Sequence, residues 1–150
     1  MGIALLSTIS LVATGLVAGI LLGVAMANVP GFLAMPADQY VATHQLFDQH
    51  YEPTMPALVA IGGIADVGLA LLSESETATT LFILAMLFLV GTAMVSQFAN
   101  VPLLSSVRDA DPTALSQDWA DPRMPWRRWH QIRTALSTLA LAVTALAVAI

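Results

Sequence analysis

The stretch Trp126-Arg127-Arg128-Trp129-His130-Gln131-Ile132-Arg133 runs straight into Thr134 to Ile150, which carries no charge at all. From Gln131 onward about twenty residues of helix, each rising ~1.5 Å, would cross ~30 Å of hydrocarbon. Tryptophans and arginines at the head of such a run are what a membrane–water boundary selects: amphipathic rings and long cationic stems. A segment with this shape predicts a membrane-spanning helix from about Trp126 to Ile150.

Three more apolar blocks repeat the pattern. They predict helices over about Ile3 to Asn28, Pro56 to Leu72 and Thr77 to Ala99. The chain of 150 residues is 57% hydrophobic and 10% charged, where a soluble domain carries about 25% charged residues. The expected fold is therefore all-α: a single domain over 1–150, an integral membrane four-helix bundle. Ala25-Met26-Ala27 looks like a signal cleavage site. No positive residue precedes the first apolar run, however, and that run is too long for a signal peptide.

The five cations, Arg108, Arg123, Arg127, Arg128 and Arg133, all lie in or beside the connection 101–130. The positive-inside rule then puts that connection and the connection 30–55 in the cytoplasm, with both termini and the acidic turn 73–76 outside. A net charge of −5 provides no basic surface for nucleic acid. The absence of cysteine excludes disulfides, thiolate metal sites and covalent c-type haem.

The polar residues gather on the arginine-bearing side. Ala27-Asn28-Val29-Pro30 and Ala99-Asn100-Val101-Pro102 end two helices that run in the same direction. One role for the repeat is helix termination by proline with an asparagine cap; the other is a pair of amides facing a pocket. The connection 30–55 holds a candidate interfacial helix with Pro36 in its first turn. At ~100° per residue Tyr40, His44, Phe47 and Tyr51 share one face, and His50 lies towards the edge. That face is either an aromatic belt with a bonded histidine or part of a site. Trp126, His130, Arg133 and Ser137 share a face of the last helix. Arg133 lies deeper than Arg127 and Arg128, so an inward position with a partner is expected. Asp66 sits near the centre of the second span, either as a functional acid or as a protonated one bonded to a serine or threonine. Gly15, Gly19 and Gly23 form a small-residue stripe suited to packing inside the bundle or to a homo-oligomer contact.

Asn28 with Pro30, the passage from Tyr51 to Met55-Pro56, Asn100 with Pro102, and the string Trp126, Trp129, His130, Arg133 together resemble the anthrone oxygenase-like family, small four-helix membrane proteins. The resemblance covers nearly the whole chain in layout. It implies a membrane enzyme that oxidises an anthrone to an anthraquinone with molecular oxygen and no metal or flavin, an activity associated with members from polyketide pathways.

On that basis the leading expectation is a cofactor-independent oxygenase acting on a flat phenol. A base removes a proton beside the carbonyl, and cationic and amide donors hold the resulting anion. His130 or His44 would be the base and Arg133 the anion holder. Asn28 and Asn100 would bond substrate oxygens, while Trp126, Trp129 and Tyr40 would stack on the rings. The expected partners are membrane lipid and a hydrophobic or aromatic small molecule, with no cofactor. Two rival readings use the same residues. One is a non-catalytic module that binds lipid or joins a larger membrane complex. The other is a haem or metal protein using His44, His50 and His130, histidines on one membrane side that could ligate one b-type haem.

Overall fold

The apolar blocks form four long helices in the structure, a computed structural model that describes residues 2–51 and 54–150, with only the backbone of His50 and Tyr51. Readings that rest on the His50 or Tyr51 side chain lie outside the described residues. The helices are α1 (Gly2–Ala34), α2 (Ala37–Tyr51), α3 (Thr54–Leu72), α4 (Glu76–Arg108) and α5 (Arg123–Ala149). No strand occurs among the described residues. Helices α1, α3, α4 and α5 are long and apolar enough to cross a membrane, so the chain is a multi-pass membrane protein of the all-α four-helix class. Helices are the natural solution there, because each satisfies its backbone polar groups internally.

The bundle is a ring in which α1 packs on α3, α3 on α4, α4 on α5, and α5 back on α1. One end holds both chain termini and the turn at 73–75. There Leu69, Ala78, Phe82 and Ala147 form a buried cluster with Leu6 and Leu81 against it. Ser75 caps α4 by accepting from the Ala78 amide at 3.2 Å. The other end holds α2 and the connection 109–122, and is called the rim below. Its cluster joins Val29, Phe32, Tyr40, Val41, Leu104, Val107 and Trp126.

Two helices overrun the sequence expectation. α1 and α4 do not stop at Asn28 and Asn100; they continue past Pro30 and Pro102 to Ala34 and Arg108. The reason is a π-turn placed just before each proline, over Val24–Asn28 and Ser96–Asn100. Proline lacks an N–H, and its ring collides with the carbonyl four residues back. A wider turn relieves that collision. Val29 N–H then bonds Val24 O, and Val101 N–H bonds Ser96 O. The repeated Ala-Asn-Val-Pro thus builds a bulge, and helix termination is the wrong reading of it.

Each overrun helix is closed by a side chain from elsewhere. Arg123 Nη1 donates to Phe32 O at 2.9 Å and Met35 O at 2.6 Å, at the end of α1. Gln45 Nε2 donates to Val107 O at 2.8 Å and Ala110 O at 2.9 Å, at the end of α4. Donors at a helix C-terminus satisfy its orphan carbonyls. Of the small-residue stripe, a Cβ on Gly15 would meet Leu141 of α5 at 3.8 Å, whereas one on Gly19 or Gly23 would meet nothing within 4 Å. Closer helix contact comes instead at Gly62, where a Cβ would meet Leu89 and Thr14 at 3.2 Å.

Candidate functional site

At the rim the helices enclose a cavity of about 950 Å³. Its polar lining includes Asn28, His44, Ser96, Asn100, Trp126 and Arg133, drawn from α1, α2, α4 and α5. The π-turns contribute directly, since Asn28, Ser96 and Asn100 all belong to them.

Arg133 is the deepest cation. Its Nε and Nη2 point at His130 Nδ1, at 3.1 and 2.9 Å, and its Nη1 reaches Ser96 Oγ at 3.4 Å. Among the described residues every one of these partners is neutral or a weak acceptor, and no carboxylate pairs with the guanidinium. A cation with this environment favours an anion beside it.

His130 is fully buried. Its Nε2 lies 3.0 Å from Leu21 O. Nδ1 accepts from Arg133, so Nε2 carries the proton and donates to that carbonyl. Both ring nitrogens are therefore occupied, and the ring stands behind the cavity wall. His130 fixes Arg133 against α1; it does not face the cavity. Thr134, one turn on, donates to His130 O at 2.8 Å.

His44 has the opposite character. It is buried, lines the cavity, and its Nδ1 has no hydrogen-bond partner. Phe32, Tyr40 and Trp126 surround it with ring centroids at 5.2, 5.3 and 5.3 Å. Burial among those rings pushes His44 down to about 4; Asp48 opposes the shift, and Arg108 and Arg133 add to it. The imidazole is therefore neutral at pH 7 and keeps an available lone pair.

Other expected residues take different places. Trp126 is buried with its indole between the two histidines, 5.3 Å from each ring. Asn100 is buried; its Nδ2 reaches Val95 O at 3.4 Å, and its Oδ1 is without a partner. Tyr40 is fully buried but does not line the cavity. It lies behind His44 with the Arg123 guanidinium 5.1 Å from its ring centre, and burial raises its hydroxyl well above the usual value. Trp129 is 41% exposed and turned outward, as an anchor would be. Asp66 sits in the turn half of the bundle, accepting from Ser10 Oγ at 2.5 Å and Thr144 Oγ1 at 3.4 Å. No three His, Asp or Glu side chains come together as a metal would need, among the described residues.

Five residues have roles that the sequence did not give them. Phe32 packs against His44, Tyr40, Phe47 and Trp126. Gln45 and Arg123 close the overrun helices. Asp48 and Arg108 pair at 2.6 Å across the cavity mouth. Of these, only Phe32 carried a local signal, as an aromatic residue just past the first asparagine.

The model of the anthrone oxygenase family matches residues 44–143, two thirds of the chain. The chain belongs to the anthrone oxygenase family. No curated protein and no solved structure matches it. Within this anthrone oxygenase family match fall His44, Asn100, Trp126, His130 and Arg133, while Asn28 and Phe32 precede it.

Proposed function

We propose that the protein is a cofactor-independent membrane oxygenase that oxidises an anthrone-like phenol with molecular oxygen in the rim cavity. The observation that carries this reading is that His44, whose buried Nδ1 has no partner, lines the same cavity as Arg133, which pairs with no carboxylate among the described residues. His44 takes one proton from the methylene opposite the substrate carbonyl. The resulting anion spreads its charge onto the carbonyl and phenolic oxygens, where Arg133 and the Asn28 amide stabilise it. The anion is an electron donor to oxygen: electron transfer and recombination form a C–O bond, and the peroxide takes the proton back from His44 to become a hydroperoxide. The hydroperoxide loses water and leaves a C=O group. One oxygen atom ends in the quinone and the other in water, so the four electrons lost by the CH₂ carbon are those gained by O₂. His130 holds Arg133 in place.

The test is oxygen uptake with a dihydroxyanthrone in nanodiscs, with metal and flavin analysis on the same sample. Unchanged turnover in both His44→Ala and Arg133→Ala would refute the assignment, as would stoichiometric haem. In the same reading the rim faces the cytoplasm, since all five arginines lie at or near that end. A periplasmic-type reporter fused after Ile150 should then be active, and activity of a cytoplasmic reporter there would reverse the orientation.

A further inference from the structure

The cavity is much larger than its polar part. Among the described residues, the cavity-lining side chains with an unpartnered buried polar atom, His44, Asn100 and Trp126, sit at the rim beside Arg133. Below them the lining is Val59, Ala60, Gly63 and Val67 of α3 facing Met86 and Val90 of α4. The hydroxyl at that depth, Thr92 Oγ1, is already bonded to Phe88 O at 3.0 Å. This lower part offers a polar ligand nothing. From Val59 to Val67 it runs about 12 Å along α3, at ~1.5 Å per residue.

The lower part is also open on one side. Its lining residues Ile64, Val67 and Val90 are 72%, 43% and 44% exposed. Of the four long helices, only α3 and α4 contribute exposed large apolar residues to the lining, although the two also touch where a Cβ on Gly62 would meet Leu89 at 3.2 Å. The gap therefore lies between α3 and α4, at hydrocarbon depth, facing lipid.

We propose that the site takes an amphiphile, with a phenolic head that becomes anionic against Arg133 and a hydrocarbon tail lying in the α3–α4 cleft, admitted sideways from the bilayer. This deepens the oxygenase reading and rests on it. Hydrocarbon gains little by leaving lipid for an apolar cleft. Selection therefore falls on the head, and the tail serves to deliver the substrate through the side opening.

The experiment is photolabelling of the whole protein in phosphatidylcholine nanodiscs. The probe is a dihydroxyanthrone bearing a dodecyl chain with a diazirine at its end. Label should concentrate on residues 56–67 and 86–98, ~10-fold above the lipid-facing Leu139 and Leu146 of α5, a ratio equivalent to ~1.4 kcal/mol of preference. Untailed dihydroxyanthrone should displace it, and Arg133→Gln should reduce it to the α5 level. Ala60→Phe, which fills the cleft without touching the polar groups, should remove tail labelling while leaving tryptophan quenching by the untailed ring intact. Uniform labelling of all lipid-facing helices in the wild-type protein would overturn the proposal. So would labelling displaced by phosphatidylglycerol but not by the untailed ring, which would mark a lipid headgroup site. Specific labelling without oxygen consumption would break the oxygenase reading and leave the amphiphile site standing. Oxygen consumption with uniform labelling would do the reverse.

Discussion

The two ends of the bundle use similar polar residues to opposite effect. At the turn half, Asp66 has Ser10 and Thr144 as donors, Thr14 bonds Ser10 O at 2.6 Å, and apolar side chains close the space around them. At the rim half, the buried atoms Tyr40 Oη, His44 Nδ1, Asn100 Oδ1, Trp119 Nε1 and Trp126 Nε1 all lack partners, and every unpartnered buried side-chain atom among the described residues is there. Leaving one such group unpaired costs ~1–3 kcal/mol. The polar groups are thus satisfied at one end, while at the other several stay open, those of His44, Asn100 and Trp126 on residues that line the cavity. On the proposed function, the turn half holds the fold and the rim half receives the substrate.

The comparison breaks most visibly at His44. His44→Phe keeps a ring among Phe32, Tyr40 and Trp126 but removes the nitrogen. Turnover should fall ~10²–10⁴-fold, the usual contribution of a general base, with thermal stability retained. The pH profile sharpens the same point. The working form is the neutral imidazole, and its proton is bound only near about pH 4. Activity should therefore stay level while pH falls through ~6.5, where an exposed imidazole titrates, and drop on approaching about 4. An inflection near ~6.5 would mean that the ring is hydrated and the rim open to water.

Arg133 comes next. Arg133→Ala leaves His130 Nδ1 and Ser96 Oγ without their donor, which should cost ~1–3 kcal/mol in unfolding measurements and most of the turnover. Arg127→Ala and Arg128→Ala should each cost ~1 kcal/mol or less. Equal losses in all three would show that Arg133 is an anchor like its neighbours. In the turn half, Asp66→Leu should lower stability by ~1–3 kcal/mol, because Ser10 and Thr144 lose their acceptor, yet leave the rate per folded molecule unchanged. A catalytic defect there with an unaltered melting temperature would dissolve the division between the halves. The smallest effects belong to Trp129→Ala and Gly68→Ala, both within about 0.5 kcal/mol. Trp129 faces outward, and a Cβ on Gly68 meets only the movable Leu6 Cδ2, at 2.9 Å.

What was legible in the sequence follows from the range of each interaction. The four spans could be read because an apolar block is a local property that the bilayer enforces. The inward position of Arg133 could be read from helical spacing and the cost of charge in lipid. The continuation of α1 and α4 could not, because Pro30 and Pro102 look like stops unless the turn before them is known to widen. The different surroundings of His44 and His130 were equally hidden. They depend on Leu21 O, which the fold brings to His130 from 109 positions away. The caps by Gln45 and Arg123 and the ion pair of Asp48 with Arg108 likewise arise between distant segments with no shared motif.

A π-turn is an ordinary helix holding one residue too many, so each Asn-Val-Pro turn shifts the phase of everything after it. Removing Ala99 would restore the regular screw and rotate residues 101–108 by ~100° relative to the span beneath them. Arg108 would swing away from Asp48, the carbonyls that Gln45 grips would point elsewhere, and α2 would lose its seat. One surplus residue per helix thus sets the angle at which the rim meets the bundle.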